Sequence, residues 1–106
     1  MADDILHRLE ATIRARRSDN PDASYVARLT AKGRAKIAQK VGEEAVEVAL
    51  AAVGPDAAAI VPEAADLVFH LLVLLADAGF SLDDVRAELA RREGLSGIEE
   101  KASRPR

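Results

Sequence analysis

The sequence predicts an all-α domain of about five helices, in which two long antiparallel helices form the bundle core. Three observations carry this. Ala, Leu and Val dominate while aromatics are scarce (two Phe, one Tyr, no Trp), and 31% of residues are charged, a composition that favours helix over sheet. Apolar residues recur at three- and four-residue spacing through most of the chain. Apart from Gly42 and Pro62, glycine and proline fall between these periodic stretches, where they act as helix breakers. The length of 106 residues fits one small domain, residues 1–106, whose modest core leaves room for dimerisation to bury more apolar surface.

Residues 3–17 read as the first helix, with Ile5, Leu6, Leu9 and Ile13 on one face. Asp3 and Asp4 suit its positive end, and Arg14, Arg16 and Arg17 its negative end. SDNPDAS follows as a loop of turn formers. Ser24 is an N-cap for a short helix over residues 25–32, which Tyr25 helps to pack, and Gly33 marks a break. A long helix then covers residues 34–53 and closes at Gly54-Pro55. The second long helix covers residues 57–78, with Pro62 either at its true start or kinking its first turns. Ser81 and Asp84 have capping-box spacing for a last helix ending near Glu93, with Phe80 and Val85 placed as a hydrophobic staple. The tail, LSGIEEKASRPR, is polar and expected to be mobile unless a ligand or partner orders it.

The first long helix breaks the rules of an apolar core helix within KVGEEAVEVALAA. On a helical wheel Ile37, Val41 and Val48 define a stripe within about 40° of arc, and Glu44 falls about 20° to its other side, inside the apolar face. Glu47, Lys40, Lys36 and Glu43 follow along one flank, roughly 60° to 120° from Ile37. Glu43 and Glu47 are like charges at i,i+4, as are Lys36 and Lys40. A buried carboxylate must be neutralised, paired or metal-bound, so several broken rules in one place mark a functional site.

The second long helix is apolar in nearly every direction except for one line, Glu63, Asp66, His70 and Asp77, within about 60° on the wheel. In an antiparallel hairpin Glu44 and Glu47 face Glu63 and Asp66, and carboxylates converging there repel unless a divalent cation joins them. All-oxygen ligation selects a hard ion, Mg²⁺ or Mn²⁺. A di-iron bundle is the rival, but it needs a Glu-x-x-His motif and Asp66 stands where that His belongs. Lys36 and Lys40 read either as phosphate contacts or as plain surface lysines. His70, one turn beyond Asp66, reads as a core residue that hydrogen-bonds near the site rather than as a ligand. Together these residues point to metal-assisted phosphoanhydride hydrolysis.

Composition narrows the remaining classes. With no cysteine there are no disulfides and no thiolate metal sites. The opening MADD is not expected to be a signal peptide, and the apolar run over residues 67–76 is short of the roughly 20 residues that span a bilayer. A net charge of −3 argues against a nucleic-acid surface. The expectation is a cytoplasmic protein with no membrane or nucleic-acid partner.

The pattern Glu43-Glu44-x-x-Glu47 followed by Glu63-x-x-Asp66 resembles the signature of the all-α nucleotide pyrophosphohydrolases, the MazG-like superfamily. SYVARL, KGRAKIAQKVGEEAVEV, EAADLVFHLLVLL, SLDDVRAEL and SGIEEKASR, in this order, are similar to segments of its phosphoribosyl-ATP pyrophosphatase family. The resemblance implies Mg²⁺-dependent hydrolysis of 1-(5-phospho-β-D-ribosyl)-ATP to the corresponding AMP and pyrophosphate, the second step of histidine biosynthesis. It implies metal ligation by Glu44, Glu47, Glu63 and Asp66. Glu43 and Glu47 are the catalytic candidates, with Glu43 orienting the attacking water or holding a second ion; Lys36 and Lys40, from their place on the flank, are the substrate-binding candidates. It also implies a homodimer. Beside this reading stand a house-cleaning nucleoside triphosphate pyrophosphatase and, from another class, a non-catalytic helical dimerisation module.

Overall fold

The computed structural model describes residues 4–105, and the expected role of Asp3 at the first helix lies outside them. Among the described residues the chain forms six α-helices and one 3₁₀ turn: α1 (Ile5–Arg16), α2 (Tyr25–Lys32), α3 (Arg34–Val53), the turn Ala57–Ala59, α4 (Ile60–Ala78), α5 (Leu82–Arg92) and α6 (Gly97–Ser103). The core packs Ile13 of α1, Val26 and Leu29 of α2, Ile37 of α3, and Leu72, Val73 and Ala76 of α4. Of the face predicted for α1, Ile13 is buried and Leu9 packs against the core, whereas Ile5 is exposed.

Helix ends follow local chemistry. Asp4 caps α1 by accepting from the His7 amide at 2.9 Å, and Ser24 caps α2 by accepting from Ala27 at 3.1 Å. Gly33, at φ 98°, takes the left-handed backbone that lets α3 start directly after α2. Gly79, at φ 84°, ends α4, where the Phe80 amide bonds back to the Leu75 carbonyl at 2.9 Å, a Schellman closure. α4 starts at Ile60, so Pro62 lies in its first turn and does not start it; Asp56 caps the 3₁₀ turn ahead. The capping box of Ser81 and Asp84 is complete. Phe80 and Val85, read as its staple, are both largely exposed.

Two further elements complete the fold. The tail contains α6, which Ser96 caps by accepting from the Glu99 amide at 3.0 Å. In addition, Ala57–Ala78 forms 22 continuous helical residues, by length and composition enough to cross a membrane. The run over residues 67–76 understates it because the 3₁₀ turn and α4 join end to end. The line of Glu63, Asp66, His70 and Asp77 interrupts that apolar surface on one side.

α3 and α4 form the antiparallel hairpin that positions the site. Arg34, at the start of α3, donates through Nε to Asp77 Oδ2 at 2.7 Å and through Nη2 to the Asp77 carbonyl at 3.1 Å, pinning it to the end of α4. Arg17 Nη2 lies 3.5 Å from the other Asp77 oxygen. Glu10 of α1 accepts from the Leu82 amide at 2.6 Å, tying α1 to the start of α5.

Candidate active site

The hairpin brings the predicted acidic residues to one region and sorts them. Glu44, expected within the apolar face of α3, is half-buried beside Val41 and Val48, whereas Glu43 and Glu47 are exposed. On α4, Glu63 is half-buried and Asp66 exposed. Glu47 and Glu63 line one crevice of about 430 Å³ between the C-terminal half of α3 and the start of α4, together with Leu50, Ala51, Asp56 and Ala59. Asp56 at this crevice carries no sequence signal beyond its role as a cap.

Electrostatics link the two helices. Partial burial raises the Glu63 carboxyl above its ordinary range, and the negative charges of Glu47, Asp66 and Glu44 raise it further. Glu63 therefore feels Glu47 and Glu44 from across the hairpin and Asp66 from its own helix. Among the described residues, no three His, Asp or Glu side chains are drawn together tightly enough to hold an ion as they stand. The donor set is nonetheless all oxygen, which suits a hard divalent ion. Three of its members are glutamates, whose rotatable side chains can close on a cation without moving the backbone.

Glu43 occupies a different environment. It accepts from Gln39 Nε2 at 2.8 Å and lies 3.3 Å from Lys40 Nζ. The Gln39 bond first, and then Lys40, hold its carboxyl below the usual range. The same contact with Glu43 raises the Lys40 ammonium, so this lysine stays charged beside the acidic group. Lys36 is half-buried on the same face and adds to the depression of Glu43.

Asp77 leaves the polar line of α4, because Arg34 and Arg17 hold it at the far end of the hairpin. His70 is buried, with Nδ1 2.7 Å from the Asp66 carbonyl oxygen and Nε2 2.8 Å from the Tyr25 hydroxyl. Tyr25 stacks near Phe69 at 6.2 Å between centroids. Burial pushes its phenol up, Lys40 opposes this, and Glu44, Glu43 and Asp66 add to it. Sequence alone casts Tyr25 as a packing residue. Its placement beside the acidic group depends on a partner 45 residues away, which no local pattern reveals.

An all-α hairpin whose two long helices present facing acidic side chains defines the class, and comparison with known proteins resolves it further. A family model described as phosphoribosyl-ATP pyrophosphohydrolase matches residues 6–93. A phosphoribosyl-ATP pyrophosphatase of Erythrobacter litoralis is 64% identical over 99 residues, covering 93% of this chain and 95% of the relative. Proteins of the same name from Rhizorhabdus wittichii, 60% identical with 95% of each chain covered, and from Zymomonas mobilis, 53% identical over 100% of this chain and 99% of the relative, are also similar. The chain belongs to the phosphoribosyl-ATP pyrophosphohydrolase family.

Proposed function

We propose that the chain hydrolyses 1-(5-phospho-β-D-ribosyl)-ATP to 1-(5-phospho-β-D-ribosyl)-AMP and pyrophosphate, the second step of histidine biosynthesis. The supporting observation is the raised carboxyl of Glu63, lifted by partial burial and then by the charges of Glu47, Asp66 and Glu44, in a chain of this family. Water adds to phosphorus, the bond between the α- and β-phosphates breaks, and pyrophosphate departs with the electron pair.

Glu44, Glu47, Glu63 and Asp66 are the residues that would hold Mg²⁺, with Mn²⁺ as a substitute. Such an ion, when bound, polarises phosphoryl oxygens, activates water and neutralises leaving-group charge. Lys40, kept charged by Glu43, and Lys36 offset phosphate charge at the rim. Glu47, open to solvent on the crevice wall, is the residue that would accept a proton from the attacking water. Glu43, held ionised by Gln39 and Lys40, orients water or Lys40 rather than acting as a strong base.

Pyrophosphate release is measured with phosphoribosyl-ATP and with dNTPs, each with Mg²⁺ and with EDTA. Mg²⁺-dependent turnover faster for phosphoribosyl-ATP supports the proposal. Faster turnover of dNTPs replaces it with a house-cleaning pyrophosphatase, and no turnover of either replaces it with a dimerisation module.

The assembly that fits is a homodimer in the cytoplasm. Leu6, Val68, Leu71, Leu75, Leu82 and Val85 line an apolar depression of about 320 Å³ formed by α1, α4 and α5. A second copy covering it buries surface that a chain of this size cannot cover alone. Sedimentation equilibrium tests this: a monomer at micromolar concentration rejects it.

A further inference from the structure

Tyr25 and His70 form a hydrogen-bonded unit next to the acidic group, and its polarity can be read from its far end. His70 Nδ1 lies 2.7 Å from the Asp66 carbonyl oxygen. A carbonyl only accepts, so Nδ1 carries the hydrogen. In the neutral ring Nε2 is then a lone pair, and the Tyr25 hydroxyl at 2.8 Å donates to it. The phenolic hydrogen is thereby committed to His70, and the oxygen presents only lone pairs elsewhere. Stacking against Phe69 at 6.2 Å and edge contact with His70 at 5.7 Å hold the ring in place. Tyr25 is nonetheless 43% exposed, and it lies within the electrostatic reach of Lys40, Glu44 and Asp66.

Ionised phosphate oxygens also only accept, so this tyrosine oxygen repels them. It suits a group that donates. We propose that Tyr25 is a specificity-determining residue whose oxygen accepts a hydrogen bond from the nucleoside part of the substrate, a ribose hydroxyl or a base amino group, with His70 as its positioning residue. This assignment rests on the function proposed above.

The test combines Tyr25→Phe, which keeps the ring, with substrate analogues lacking single donors. Relative to the wild-type chain with phosphoribosyl-ATP, Tyr25→Phe raises KM roughly threefold to tenfold, the worth of one neutral hydrogen bond, with kcat within about twofold. Removing the matching donor costs the wild type the same factor and costs Tyr25→Phe nothing more, because the partner is already gone. An analogue lacking a ribose hydroxyl that behaves this way identifies the sugar, and one lacking the amino group identifies the base. Effects that multiply for every analogue, or a loss confined to kcat, overturn the assignment. Nitrogen NMR of the full chain reads the His70 tautomer directly: a hydrogen on Nε2 in place of Nδ1 overturns it even without substrate. If the wild type does not turn over phosphoribosyl-ATP, the functional proposal fails instead, and the NMR result still decides the polarity of the pair.

Discussion

Arg34 and Asp77 close one end of the α3–α4 hairpin with Nε 2.7 Å from Oδ2, while at the other end Glu47 and Glu63 share a crevice and repel. The hairpin is therefore fastened at one end and left under charge stress at the other. Attraction at one end lets α3 and α4 tolerate like charges at the other.

Replacing Asp77 with Ala should unfasten that end. Arg34 loses its Nε bond to the carboxylate, and Arg17 its ion pair. The Asp77 side chain is only 15% exposed, so the expected loss is about 1–3 kcal/mol of stability. Urea denaturation measures it, and the substrate affinity of the folded fraction should be unchanged.

Glu47→Gln and Asp66→Asn should each abolish Mg²⁺-dependent pyrophosphate release while circular dichroism stays that of the wild type. Near wild-type turnover of either variant at saturating Mg²⁺ would remove that residue from the ligand set.

Glu63→Gln should raise the melting temperature of the metal-free chain, since it removes one charge from a group of mutually repelling carboxylates. Added Mg²⁺ should stabilise the wild type more than the variant. A lower metal-free melting temperature would mean the repulsion is not what limits stability there.

Acid should loosen the joint between α1 and α5. Asp4 accepts from the His7 amide and ring and from Arg86 of α5. The amide bond above all, and then those side chains, lower its carboxyl from 3.8 to about 2. A depressed carboxyl contributes stability fully above its unfolded value and loses it as pH falls through the folded one. The stability difference between wild type and Asp4→Asn should thus be constant above about 4 and vanish towards about 2. A difference independent of pH would show that the charge contributes nothing.

Ser81→Ala should cost about 1 kcal/mol by removing one half of the α5 capping box. Amide hydrogen exchange at Asp84, which donates to Ser81 Oγ at 3.2 Å, should quicken more than exchange in α3.

Much of the fold and part of the site are legible in the residues themselves. Ser24, Gly33, Gly79 and Ser81 mark helix ends because capping and left-handed backbone are local chemistry. Glu44 separates from Glu43 and Glu47 because a helix turns by a constant angle, which places one of them in the apolar stripe. That angle describes one helix about its own axis and says nothing of what stands opposite. Only packing decided that Asp77 goes to Arg34 and Arg17 instead of joining Glu63 and Asp66, and that His70 receives Tyr25 from α2. The sequence by itself determined which side chains are chemically out of place in an apolar helix. The tertiary structure decided which of them meet, because their partners are distant in the chain and are chosen by how whole helices pack.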